Sequence, residues 1–289
     1  MTKLKTAPTL APLVGMRLAL LLAVAVAASG CTFFSTVHDK TGSVGSSAKE
    51  LASGAKYPKL HVEIDFPTGS EPNDQALGDW QLAIADATGR SASNVILTKN
   101  AVIPSEPGRK YSTSDIVSLE DAHRTVHTSG DTAGLFILYV AGGSDADSSD
   151  GSALVLGAAY RATSIVMFKG NIKSSSSADC SGLLCTPTSK PQEHYVERAV
   201  LIHEMGHAMG LVDLGAPMQR PHEDTSGAPG HDPARHGHSS NQNDVMWWAV
   251  ENSASLSSLV SCGTGDCGST IPYQYDGDDK ADLAALRSS

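Results

Sequence analysis

Apolar and polar positions alternate from Leu60 to Phe66 in the manner of a half-buried strand, and between Ala76 and Thr88 the residues Leu77, Trp80, Leu82, Ile84 and Ala85 recur at helical spacing. Val95-Ile96-Leu97 reads as the next strand. Residues 115–126 read as a second helix, with Ser114 or Thr113 placed to cap it. From Gly134 to Val140 the chain is apolar without interruption, which predicts a strand buried on both faces. Two more strands are expected at 153–160 and 164–168, joined by a short polar connection. Further on, Tyr195, Val196, Ala199, Val200 and Ile202 form an apolar stripe after Pro191, predicting a helix that Gly210 would stop. An acidic run, 276–279, precedes a last helical stretch at 281–286, where negative charge suits a helix N-terminus. Strands interleaved with helices give an α/β (α+β) layered fold.

The ends divide the chain. Lys3, Lys5 and Arg17 precede an apolar run from Leu18 to Ala28 and then Ser29-Gly30-Cys31, which reads as an export signal over residues 1–30. The run is too short to span a bilayer comfortably, and its small residues followed by a cysteine resemble a bacterial lipobox. That resemblance implies lipidation at Cys31 and anchoring at the cell envelope, in the outer membrane if the cell is Gram-negative. Residues 31–57, rich in Ser, Gly, Thr and Lys, are expected to form a flexible tether, leaving 58–289 as one domain. A formal net charge of -10 excludes nucleic acid as a natural partner, because phosphate binding needs clustered Lys and Arg. With Cys31 assigned to lipid, Cys180, Cys185, Cys262 and Cys267 remain, an even set that suits disulfides in an oxidising compartment; three pairings are open. Asp145, Asp147 and Asp150 crowd a short loop that could hold calcium through carboxylate oxygens or simply be solvated.

The chemistry sits on the predicted helix at 195–210. His203 and His207, four apart, share one helix face, and Glu204 beside them can reach a water bound to the same ion, the HExxH arrangement. Catalytic zinc usually takes three protein ligands, so a third is required. Asp213 lies three residues after Gly210, and His238 lies further on. His222, His231 and His236 fall in the same polar stretch, where a surface loop is the plainer reading.

Lifting out residues 213–237 joins His203-Glu204-Met205-Gly206-His207-Ala208-Met209-Gly210-Leu211-Val212 to His238-Ser239-Ser240, restoring HExxHxxGxxH with Met246 following. In this the chain resembles the metzincins, nearest to matrixins and archaemetzincins, with an insertion splitting the motif. The resemblance implies a mixed, twisted sheet with two backing helices, one of them the zinc helix, then a Met-turn and a C-terminal helix. It favours His238 over Asp213 as third ligand and implies that Met246 is an apolar floor beneath the histidines. It also implies that an edge strand within 153–160 receives a peptide by backbone pairing. The expected activity is zinc-dependent endopeptidase, with Glu204 as general base. The alternative is a surface lipoprotein that keeps the scaffold for binding without catalysis.

Overall fold

The uninterrupted apolar run at 134–140 lies within the strand that becomes the spine of the sheet. The computed structural model describes residues 38–39, 41–178, 190–227, 236–259 and 267–288. In chain order its elements begin with α1 (Ala48–Ala52), β1 (Lys59–Asp65), α2 (Asp74–Thr88), β2 (Val95–Asn100), β3 (Lys110–Tyr111), α3 (Thr113–His123) and β4 (Thr132–Val140). They continue with β5 (Gly143–Ser144), β6 (Gly157–Arg161), β7 (Ser164–Phe168), α4 (Lys169–Ser175), α5 (Glu193–Ala208), α6 (Ser253–Leu259) and α7 (Gly277–Ser288). Five strands form one sheet in the order β2-β1-β4-β7-β6, while β3 and β5 pair separately. The first four run parallel, with Leu60 opposite Val95, Ile64 opposite Ile137 and Tyr139 opposite Met167. Strand β6 closes the edge antiparallel to β7, Ala158 lying opposite Val166.

Strand β4 shows why its sequence does not alternate. Ala133, Leu135, Ile137 and Tyr139 enter the core shared with Leu77, Trp80, Val196, Val200 and Leu283. Phe136, Leu138 and Val140 enter a second core with Tyr111 and Ile116. Both faces are covered, and each large apolar side chain buried there contributes about 1.5–3 kcal/mol.

Helix α5 lies on the first face and is almost wholly buried. Neighbouring elements hold it at several points along its length. The Trp80 indole donates to the Leu201 carbonyl at 3.2 Å, and the Tyr275 hydroxyl donates to the Ile202 carbonyl at 2.7 Å. Near its start, buried Glu197 accepts from Tyr139 Oη at 2.9 Å and from the Asn73 amide at 2.8 Å, and it pairs with buried Lys169. Lys169 also meets Glu193 at 2.6 Å. Removing one partner leaves a carboxylate buried without its counter-charge, so Lys169→Met should lower the unfolding free energy in urea titrations by about 3–5 kcal/mol. A loss near zero would mean that the helix is not held there. The helix stops at Gly210 as expected: at φ 76 it turns the chain left-handed, and Leu211 N returns to the Gly206 carbonyl at 3.0 Å.

Four expectations need correction. Helix α3 is capped by Ser112, in a reciprocal capping box with Asp115, rather than by Thr113 or Ser114. Only 157–161 of the stretch 153–160 and its continuation is strand; Val155 ahead of it makes a single bridge to Asn252. The supposed tether packs on the domain over its described part. Leu51 and Ala52 are buried, Arg90 donates to the Leu51 and Glu50 carbonyls, and Asp39 accepts from Thr128 N at 3.0 Å. Two well-placed apolar residues outweigh the Ser/Gly composition around them. The fourth concerns His222, described with the site. The export segment and Cys31 lie outside the described residues, among which no helix is long and apolar enough to cross a membrane.

Candidate metal centre

One helical turn separates His203 from His207, so α5 presents both rings to the same point. Their Nε2 atoms are 3.0 Å apart. His203 Nδ1 lies 2.7 Å from the Val245 carbonyl, which can only accept; Nδ1 therefore carries the proton and the Nε2 lone pair faces inward. The third ring is His238, whose centroid lies 5.3 Å from that of His203 and 5.0 Å from that of His207. All three histidines are buried. A fourth group completes the set: Glu251 Oε2 stands 3.7 Å from His203 Nε2 and 3.6 Å from His238 Nε2. One ligand atom from each of the four lies within 4.8 Å of the others, which is the size of a metal site.

Asp213 is not part of it. The residue is exposed, in a left-handed turn with φ 65 that follows Val212 at φ 53, and it does not reach the histidines. His238 arrives instead because the inserted segment folds back along it. Asp224 N donates to the His238 carbonyl at 2.8 Å, Ser240 N to the His222 carbonyl at 2.8 Å, and Ser239 N to the Met246 carbonyl at 2.9 Å. The insertion is thus a clamp rather than a bulge. His222 anchors it: the ring is buried and lies 3.2 Å from Asp279 Oδ1, which corrects its reading as a surface-loop residue. The Asp279 hydrogen bond holds the His222 imidazolium up to about 9 against the opposing effect of burial. His236 is exposed, pairs with Glu223 at 2.7 Å and is not among the four grouped ligands, and His231 lies outside the described residues.

Glu204 faces the edge strand. Its Oε2 accepts from the Ala159 amide of β6 at 2.7 Å, while Oε1 is buried without a hydrogen-bond partner. Burial raises its pKa to about 7, Glu251 pushing the same way and His203 and the Ala159 hydrogen bond opposing. For His207, burial and the neighbouring imidazoles of His203 and His238 press the pKa well below the ordinary value, so the ring is neutral. Burial alone would raise Glu251, but His203 and His238 outweigh it and keep the group ionised. Three imidazoles and a carboxylate gathered around one point are a donor set suited to a divalent cation.

Met246 is fully buried directly beneath the helix. A Cβ on Gly206 would overlap its sulfur, so the glycine inside the HExxH motif is what lets α5 settle onto this floor. Trp247 is buried next to it and Trp248 is half-buried, the two rings meeting edge to face at 5.9 Å. Behind the floor, Asp276 caps α7 by accepting from the amides of Asp278 and Asp279, and Asp244, Asp276 and Asp279 form a second group of close carboxylates. Burial first, then Asp279 and Asp276, push the Asp244 carboxyl up to about 9, so it is held protonated. Tyr275 is packed behind the same floor and hydrogen-bonds the Ile202 carbonyl.

In the loop offered as either a calcium site or a solvated turn, the carboxylates are engaged by the protein itself. Asp147 spends its oxygens on Lys110, the Ser144 and Val155 amides and the Asn171 amide group, and Asp150 accepts from Ser152 N at 3.0 Å. With Asp145 they do not gather into a metal-sized group. Cys267 is disulfide-bonded, whereas Cys180, Cys185 and Cys262, like Cys31, lie outside the described residues. Glu251 had no signal in the sequence: it follows Met246 by five positions, and no spacing rule marks it. No protein-family model, curated protein or solved structure matches this chain.

Proposed function

We propose that this chain is a zinc-dependent endopeptidase of metzincin type. The observation that supports it best is the meeting of His203, His207 and His238 around one point, with a buried, unpartnered carboxylate oxygen of Glu204 beside them. A mixed sheet ending in an antiparallel edge strand and a methionine beneath the histidines favour the same reading. His203, His207 and His238 would hold the ion. Bound there, zinc would supply Lewis-acid polarisation of a peptide carbonyl and acidify a water. Glu204 would take the proton of that water and return it to the leaving amine, with the Ala159 amide fixing its second oxygen. Strand β6 offers its outer edge to an extended peptide, which would pair by backbone hydrogen bonds. Export and lipidation at Cys31 complete the proposal, setting the domain on the cell envelope.

A second reading, a binding protein whose ion is structural, draws on Glu251, because four protein groups around one ion leave no seat for water. Metal analysis combined with a cleavage assay decides between them. The expected result is one zinc per chain, with casein or gelatin cleavage abolished by a chelator and restored by added zinc. Zinc-replete protein that leaves a broad peptide panel intact would sink the peptidase reading.

A further inference from the structure

We propose that Glu251 is a fourth ligand that closes the resting centre and must swing aside before substrate can bind; this rests on the reading of the three histidines as a zinc site. A tetrahedral zinc with bonds of 2.0–2.1 Å would hold its ligand atoms about 3.3–3.4 Å apart. The gap between the His203 and His207 nitrogens, 3.0 Å, and the gaps of 3.7 and 3.6 Å from Glu251 Oε2 to His203 and His238 straddle that value. The carboxylate therefore stands where the fourth vertex belongs.

Hydrogen bonding does not account for its position. Both separations exceed an ordinary hydrogen bond and fall instead near the spacing of two ligands on one ion. Among the four groups Glu251 is also the one with room to leave, its side chain 36 % exposed while that of His203 is fully buried.

The main chain around Glu251 is fixed, so release would be a side-chain rotation. Leu156 N donates to the Glu251 carbonyl at 3.0 Å, Ser253 N to the Leu154 carbonyl at 3.0 Å, and Leu154 N to Ser253 Oγ at 2.9 Å. Those partners lead directly into β6, the strand that would accept a peptide. The carboxylate is thus carried by a backbone tied to the segment that leads into that strand.

The test uses the full-length protein and its Glu251→Ala and Glu251→Gln variants. Zinc affinity is measured by competition with a chromophoric chelator, cobalt-substituted samples are compared by visible absorption, and a small hydroxamate probes the vacant position. In both variants zinc binding should weaken by at least about tenfold, the cobalt bands should move, the hydroxamate should bind more tightly and peptide cleavage should rise. Unchanged zinc affinity and cobalt bands in both folded variants would overturn the proposal. Shifted bands with cleavage no faster than wild type would remove the gating while leaving the ligand. If the bands shift but neither wild type nor variant cleaves any peptide, Glu251 is a ligand, the gating falls with the peptidase reading, and the site is structural.

Discussion

Glu204→Gln protein should keep its zinc and lose peptide cleavage by about 10²–10⁴ in kcat/KM, the contribution expected of a positioned general base. Glutamine keeps the shape of the side chain and can still accept the Ala159 amide proton through its carbonyl oxygen, so β6 and α5 should not move apart. What it lacks is the basic oxygen now buried without a partner. Zinc content and circular dichroism matching wild type, together with the lost rate, would separate chemistry from folding. A variant that binds metal and cleaves at the wild-type rate would remove Glu204 from the reaction.

Replacing His238 by Ala should cost more, because in the proposed site the ring holds the ion instead of carrying a proton. Zinc affinity should fall by more than about a hundredfold, exceeding the loss usual for residues that only orient a ligand, and cleavage should drop below detection at limiting zinc. The paired control is Asp213→Asn, which tolerates the left-handed backbone at φ 65 and should leave affinity and rate unchanged. The opposite outcome, with the Asp213 variant failing and the His238 variant active, would return the third ligand to the turn after Gly210. Both experiments read metal binding directly by competition titration, so each remains informative if no substrate is known.

What could be read in advance followed local rules. The HExxH pair was legible because two rings four apart on a helix must share a face, and His238 because the motif closes once the inserted residues are set aside. Strand β4 was legible because a strand covered on both sides has no polar position to keep. Three possible caps in a row, Ser112, Thr113 and Ser114, left the start of α3 ambiguous by one residue. Helix α1 was hidden by the serines and glycines around Leu51 and Ala52, whose value lies in the surface they meet. Asp147 had the composition of an ion ligand, but its neighbours' amides use the same oxygens. Glu251 and His222 were out of reach for a common reason. Each owes its place to pairing between distant segments, 251–253 with 154–156 and 222–224 with 238–240, and no pattern along the chain encodes that.

The early packing of the chain bears on where the protein could work. Asp39, locked against Thr128, comes only eight residues after Cys31. Fully stretched, eight residues reach at most about 26–29 Å. An acyl chain on Cys31 would therefore hold the protein on a short leash, pressed near the bilayer instead of roaming above it. On the proposed peptidase reading, its substrates would be polypeptides that share that surface or are delivered to it.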